Sequence, residues 1–305
     1  MKTLRKVTLS LILISFVILG GITSCKCSHE SKQKTDIPII NAQADSFSFP
    51  GIEYLLPSPS DVLQTLFSED ITYTQNLTAP VGIEKKAVIS QYQALILGVY
   101  ITDLSYNVLF KNHQASSSYL ASIRELSESV GIGSLLYNEY FKRVESNTTN
   151  IDSMDAIFYD FSQNAFLTIG NSGNNEMLSL VAMGSSIEIM YLSYKSLAFE
   201  TISQAVLPNF VGQRVIFENY YKNFVEYNKK KPDLKDFLTD LEAIYNLFEK
   251  NVAEKTESTI TKLKDSHFAI KDKVTYTHSE LGIKELGDKI ISVRNKLIEM
   301  HYQQH

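Results

Sequence analysis

The sequence contains no tryptophan and very little cysteine. Its 305 residues include only two cysteines, Cys25 and Cys27, too few for the disulfide framework of a small secreted domain. Hydrophobic residues make up 44% of the chain, which is enough for a real core, and its aromatic residues are 17 tyrosines and 16 phenylalanines. We therefore expect one large domain or two small ones, with a core rich in phenylalanine and tyrosine.

The sequence also lacks an excess of positive charge. The formal net charge is −5, which argues against nucleic acid as a partner because phosphates need a basic surface. Residues 1–24 carry three positive charges, Lys2, Arg5 and Lys6, and no negative charge, so the remainder has a net charge of −8. This acidity also argues against electrostatic attraction of the remainder to anionic lipid.

Motifs that carry catalysis or bind cofactors are missing. There is no glycine-rich phosphate loop, no GxSxG elbow before a helix, and no Glu-x-x-His pair of the kind that helical di-metal sites use. Cys27 and His29 lie close together, as do His301 and His305, but two ligands on a chain end make a poor metal site. We expect neither a metal nor a cofactor.

Alternation of apolar and polar residues at period two, the pattern of a β-strand, is almost absent. Residues 274–278 are the one candidate strand, and no second stretch offers itself as a partner. Helical spacing dominates instead. The sequence therefore predicts an all-α fold.

An apolar run follows the basic residues at the start of the chain. Residues 7–24 carry no charge and end in small residues, as in a secretory signal with a charged n-region and an apolar h-region. The run is also about as long as the shortest membrane-spanning helix. Glycine, threonine and serine at its end favour a cleaved signal peptide at residues 1–24.

The end of this run resembles the lipobox of bacterial lipoproteins, in which an apolar residue and two small residues precede a cysteine. The four positions are Ile22, Thr23, Ser24 and Cys25. The resemblance implies that Cys25 becomes the N-terminal residue and carries fatty acyl chains such as palmitate, which hold the protein to a membrane. Cys27 is then the one free thiol, and no internal disulfide can form. An uncleaved anchor with an incidental cysteine is the alternative.

Residues 25–56 read as a lipidated N-terminus and tether. The front half is polar and has no helical period, so it would span roughly 30 Å as a coil. By analogy with lipoprotein sorting, Lys26 stands where an aspartate would retain the protein at the inner membrane. No acidic cluster follows Cys25 either, which would be typical of surface-exported lipoproteins. We expect the periplasmic leaflet of the outer membrane.

A helical domain is predicted from residue 57 to residue 305. Ser58 is a candidate N-cap with Pro59 at the first helical position. Within the core bundle, residues 57–231, the stretches 83–112 and 176–206 are apolar over most of their circumference, as expected for central helices. Shorter amphipathic helices are expected between and after these two.

The last part of the chain, residues 232–305, predicts a helical hairpin. Apolar residues alternate spacings of three and four from Leu234 to Val252 and again from Leu286 to Met300, the pattern of paired helices. Residues 260–278 are expected to form an intervening helix and turn. A degenerate helical-repeat solenoid is the alternative fold, although no repeat of 34 or 40 residues is visible.

Two acids inside the apolar helices are candidates for a functional site. A helical period places Tyr100, Asp103 and Asn107 on one side of the first central helix, and Glu188 and Tyr191 on one side of the second. A buried carboxylate has to be paired, protonated or functional. If the two sides face each other, these five residues would line a polar cleft. We favour the alternative, in which each side is a narrow solvent-facing edge or Asp103 is capped by a neighbouring tyrosine or asparagine.

Part of the helical domain is similar to helical lipoproteins of the Bacteroidota. The similarity covers residues 55–135 and consists of a Pro-Ser-Pro helix start followed by an apolar helix with one aspartate. It implies a helical fold and a membrane location but no particular activity. The matching positions are Pro57, Ser58, Pro59, Ala94, Leu95, Leu97, Gly98, Val99, Tyr100, Asp103, Leu104 and Tyr106.

Two functions are compatible with these patterns. In the first, the protein is a lipid-anchored, periplasm-facing binding or scaffold module that holds a protein or small-ligand partner. In the second, it is an enzyme that uses the carboxylates of Asp103 and Glu188, which then have to lie within several ångströms of each other in a cleft. We favour the first.

Overall fold

The computed structural model describes residues 48–49, 52–53, 56–67, 72–196, 207–262 and 268–303. The chain divides into two compact units, Met1–Asp36 and Ile37–His305, and all described residues belong to the second. The predicted signal peptide, the lipobox with Cys25 and nearly all of the tether lie outside the described residues. Two short strands, β1 (Ser48–Phe49) and β2 (Ile52–Glu53), pair antiparallel within the tether.

Two long helices form the centre of the helical unit. These are α2 (Ser90–Leu109) and α7 (Asn175–Ser196), which pack against each other. Among the described helices, α7 alone is long and apolar enough to cross a membrane, and 94% of its most apolar stretch is buried inside the fold. Burial on every side explains why both helices are apolar around most of their circumference.

Two glycines bring the backbones of α2 and α7 into contact. A Cβ atom added to Gly98 would lie 1.8 Å from the carbonyl oxygen of Val181, and one added to Gly184 would lie 1.9 Å from that of Leu95. Beside this contact, the hydroxyl oxygens of Thr102 and Ser185 are 2.6 Å apart. No side chain larger than hydrogen fits at either glycine.

Other helices surround the central pair, so the fold is an all-α multi-helix bundle. Helix α2 contacts the last long helix, α10 (Glu280–Ile298), as well as helices near it in sequence, whereas a solenoid repeat contacts only its sequence neighbours. The surrounding helices are α1 (Pro59–Leu66), α3 (His113–Ser129), α4 (Gly133–Leu136), α5 (Lys142–Glu145), α6 (Ile151–Asn171), α8 (Leu207–Asn228), α9 (Lys235–Asn251) and α10 (Glu280–Ile298). A π-helical turn, Tyr137–Phe141, joins α4 to α5.

Helix boundaries follow local sequence signals in some places and tertiary contacts in others. Ser58 caps α1 as predicted, because its Oγ accepts a hydrogen bond from the Asp61 backbone N–H. The predicted continuous helix over residues 83–112 is wrong. A 3₁₀ turn, Ile83–Lys86, is followed by an extended residue, and α2 begins only at Ser90. The N–H groups of Val88 and Ile89 donate to the side chain of Gln303 instead of to helical carbonyls.

The C-terminal part contains the predicted pair of helices and an unpredicted β-hairpin. Helices α9 and α10 pack against each other. Between them lie β3 (Val252–Lys262) and β4 (Phe268–His278), paired antiparallel from Val252 opposite His278 to Lys262 opposite Phe268. The expectation of a helix and turn over residues 260–278 was therefore wrong, as was the view that 274–278 has no partner. The threonine and isoleucine residues of β3 favour a strand. Its many charged residues, however, interrupt the alternation of apolar and polar residues by which a strand is recognised in a sequence.

Candidate functional site

The predicted acids Asp103 and Glu188 meet in the centre of the bundle, together with an arginine from a third helix. Asp103 lies on α2, Glu188 on α7 and Arg294 on α10. Their exposed fractions are 0%, 0% and 4%. We refer to these three residues as the buried triad. Neither carboxyl group reaches solvent, so the prediction of a solvent-facing edge is wrong for both acids.

Glu188 and Arg294 form a bidentate ion pair. Arg294 Nε lies 2.9 Å from Glu188 Oε2, and Nη2 lies 3.0 Å from Oε1. The guanidinium group also stacks over the Tyr191 ring, 4.2 Å from its centroid. Two parallel charge-assisted hydrogen bonds fix the geometry of α7 against α10. The burial of Arg294 would lower its pKa, but the charge of Glu188 outweighs that effect and raises it.

Asp103 is bonded on one side and faces a second acid on the other. Its Oδ2 accepts a hydrogen bond of 3.0 Å from the backbone N–H of Ala79. Its Oδ1 is buried and has no hydrogen-bond donor among the described residues. The negative charge that acts on it is that of Glu188, its electrostatic neighbour on α7. Burial and the charge of Glu188 raise the pKa of Asp103 well above its usual range, and Arg294 only partly opposes them.

The other two candidates on α2 form hydrogen bonds with a loop. This loop, residues 72–89, is bonded to α2 at several points and is called the strap below. The hydroxyl of Tyr100 lies 2.7 Å from Glu84 Oε2 and accepts a hydrogen bond from the Ile83 N–H. Asn107 Oδ1 accepts a hydrogen bond of 3.3 Å from the Tyr73 hydroxyl. Tyr100 and Asn107 thus hold the strap, while Tyr191 supports Arg294.

The strap is fastened at Ala79 by side chains from two helices. Asp103 on α2 accepts from the Ala79 N–H, and the Tyr119 hydroxyl on α3 donates to the Ala79 carbonyl. Glu84, only 7% exposed, accepts from the Gly82 N–H at 2.8 Å and from the Ser122 hydroxyl at 3.2 Å. Polar side chains on α2 and α3 therefore satisfy backbone and carboxylate groups of the strap inside the protein.

Sequence reasoning missed Arg294, which completes the triad. Ile290 lies four residues before it and Leu297 three residues after it, so the arginine occupies the apolar side of α10. A lone arginine at such a spacing is a signal for a buried acidic partner. Which acid it would meet depends on how α10 packs on α7, and that is a tertiary property.

A second charged cluster lies between α9 and α10. Asp240 on α9 accepts hydrogen bonds from Lys289 at 2.6 Å, from Lys296 at 2.8 Å and from the Tyr302 hydroxyl at 2.6 Å. Partial burial would raise the pKa of Asp240, but the two lysines and the tyrosine outweigh it and lower the pKa. We refer to these four residues as the Asp240 cluster.

Neither cluster has the composition of a metal centre. Within the part of the chain that the structure describes, no three His, Cys, Asp or Glu side chains come together in a way that could hold a metal ion. His301 lies at the surface 3.3 Å from Glu299, whereas Cys27, His29 and His305 lie outside the described residues. In the triad, Arg294 neutralises Glu188, and Asp103 accepts one hydrogen bond from the backbone N–H of Ala79.

The arrangement can hold charge and protons inside the fold, but it offers no open surface to a substrate. Comparisons with protein-family models, with curated proteins and with solved structures gave no match to this chain.

Proposed function

We propose that this protein is a bacterial lipoprotein, acylated on Cys25, whose helical domain acts as a binding or scaffold module. In this proposal residues 1–24 are removed on export, and the acyl chains hold the domain at the periplasmic leaflet of the outer membrane. The domain then keeps a protein or small-ligand partner close to that membrane.

The anchor is supported by the order of residues around Cys25. A basic start, an apolar run over residues 7–24 and the sequence Ile22-Thr23-Ser24-Cys25 occur together and in the required order. The acyl chains of such a cysteine contribute about 0.8 kcal/mol for each buried CH₂ group, so several chains hold a domain stably. Lys26 in place of an aspartate favours the outer membrane.

The binding function, rather than an enzyme, is supported by the state of the convergent acids. Asp103 and Glu188 do lie together, as an enzyme would need, but both are fully buried. Glu188 has a bidentate arginine partner and Asp103 fastens the strap at Ala79. A catalytic pair has to reach a substrate atom at hydrogen-bonding distance. The enzyme alternative would therefore require the strap or α10 to move away.

Acyl-chain labelling of cells that produce the protein tests the anchor. Wild-type protein should incorporate a labelled fatty acid and stay in the membrane fraction. We expect Cys25→Ala to lose the label and to leave the membrane fraction, because its N-terminus can no longer be acylated.

Cys27→Ala is the matched control, since it removes a cysteine two residues away and should be labelled like wild type. Equal labelling of Cys25→Ala and wild type would contradict the proposal. Loss of the label only in Cys27→Ala would show that Cys27 carries the lipid, and it would also contradict the proposal.

A further inference from the structure

We propose that the carboxyl groups of Asp103 and Glu188 together hold one proton in the folded protein, which makes the buried triad a proton-binding site. The proton resides on Asp103 Oδ1 and is donated to the carboxylate of Glu188. The triad then contains one neutral acid, one carboxylate and one guanidinium ion, so its net charge is zero.

The positions of the donors carry this inference. Each oxygen of Glu188 accepts one hydrogen bond from Arg294, and an ionised carboxylate has lone pairs for more. Asp103 Oδ2 takes the Ala79 N–H, which leaves Oδ1 buried and without a donor among the described residues. Both acids are fully buried, and the Glu188 carboxylate that acts electrostatically on Asp103 is itself an acceptor. One added proton on Oδ1 turns a contact between two acceptors into a hydrogen bond.

The charges that surround Asp103 lead to the same assignment. From α7 it faces Glu188, and from α10 it faces Arg294. Its electrostatic neighbours also include Tyr106 on α2, Tyr119 on α3 and Tyr191 on α7. Among these groups one cation faces two acids, and that cation is already paired with Glu188. A second negative charge among side chains that are buried from solvent would cost far more than keeping a proton.

Binding of this proton makes the stability of the fold decrease as the pH rises. In the unfolded chain Asp103 would lose its proton near the ordinary pKa of aspartate, about 3.9. Because the pKa of folded Asp103 is raised, the folded protein binds one proton more over the interval above that value. The contribution to stability is thus fully present below about pH 3.9. It is lost progressively as the pH rises towards the folded pKa.

The equilibrium unfolding of wild type and Asp103→Asn as a function of pH tests this. Asparagine can donate to Glu188 and accept from Ala79 without carrying a titrating proton. We expect the unfolding constant of wild type, divided by that of Asp103→Asn, to rise about tenfold per pH unit above pH 5 and to level off at the folded pKa. Leu281→Ala on α10, where the side chain is 78% exposed, is the control: it removes no titrating group, so its ratio should stay constant with pH.

A constant ratio for Asp103→Asn over the same interval would overturn the proposal. Infrared spectra of wild-type protein labelled with ¹³C-aspartate give a second measurement that does not depend on a variant. We expect the C=O stretching band of a protonated aspartic acid at neutral pH. A spectrum that contains only carboxylate bands for aspartate would overturn the proposal even if Asp103→Asn did not fold.

Discussion

Helix α10 takes part in two charged clusters that have opposite proportions of acid and base. The buried triad combines two acids with one arginine, and all three side chains are almost fully removed from water. The Asp240 cluster combines one acid with two lysines, whose side chains are 25% and 41% exposed. The pKa of Asp103 is raised, whereas that of Asp240 is lowered.

The difference shows that the local ratio of charges and the access to water decide the state of a carboxyl group together. In the triad the surplus group is an acid, which cannot turn towards solvent and so keeps its proton. In the Asp240 cluster the surplus group is a lysine, which can extend its ammonium group into water. The first cluster is thus sensitive to rising pH and the second to falling pH.

The largest effect should come from removing the one cation of the triad. Arg294→Met keeps the length of the side chain but leaves Glu188 buried without its partner. Breaking a buried ion pair in this way costs about 3–5 kcal/mol. We expect urea unfolding, followed by circular dichroism, to show a decrease of that size in the free energy of unfolding.

Lys284→Met on the same helix is the matched control for Arg294→Met. Lys284 pairs with Asp288 at the surface, and its side chain is 61% exposed. We expect its urea midpoint to match that of wild type. A comparable loss of stability in both variants would mean that burial does not distinguish the two pairs, and it would remove the basis of the comparison.

We expect a smaller decrease in the free energy of unfolding when the acid of the Asp240 cluster is replaced. Asp240→Asn removes hydrogen bonds that a carboxylate accepts from two ammonium groups, at a cost of about 1–3 kcal/mol near neutral pH. Because the pKa of folded Asp240 is lowered, its contribution is present above the ordinary aspartate value, about 3.9. That contribution is lost as the pH falls towards the folded pKa. Urea unfolding between pH 7 and pH 3 should therefore show the two proteins converging in acid.

A difference in stability that does not change with pH would contradict this prediction. If Asp240→Asn and wild type stay equally far apart from pH 7 to pH 3, Asp240 does not titrate differently in the folded protein. The contrast with Asp103, whose variant should diverge from wild type as the pH rises, would then be lost.

The smallest effect is expected for an ion pair at the surface. Arg124 Nη1 lies 2.7 Å from Glu145 Oε1, and both side chains are more than 40% exposed. Exposed pairs contribute little because water and salt screen them. We expect Glu145→Gln to unfold at the same urea midpoint as wild type, measured at low and at high salt. If the urea midpoint of Glu145→Gln is lower than that of wild type only at low salt, this surface ion pair does contribute to stability, and the prediction is wrong.

Much of the fold could be predicted because it depends on local signals. The Ser58 cap precedes a proline that fits the first helical turn, so α1 begins where the sequence indicates. The two helices that are apolar on all sides became the central pair, since such helices are stable only inside a protein. The β-hairpin was missed because β3 contains many charged residues, and its strand character depends on pairing with β4.

The candidate site was predictable only in part. The helical period placed Asp103 and Glu188 on defined sides of their helices, and the cost of burying a charge marked both acids as unusual. The period does not say that Tyr100 and Asn107 bond the strap while Glu188 bonds Arg294. Those partners are 16, 34 and 106 residues apart in the sequence. In an extended peptide these separations correspond to about 50 to 350 Å, at about 3.3 Å per residue, and only packing selects the partners.

The sequence by itself determined the helical class and the two central helices, and it alone supports the proposed lipobox that ends at Cys25. Each depends on residues that are close together along the chain, such as a cap, a helical period or a peptidase signal. The tertiary structure alone decided that Arg294 neutralises Glu188, that Asp103 fastens Ala79, and that Gly98 and Gly184 bring two backbones into contact. The reason is that burial and pairing are properties of the space between helices.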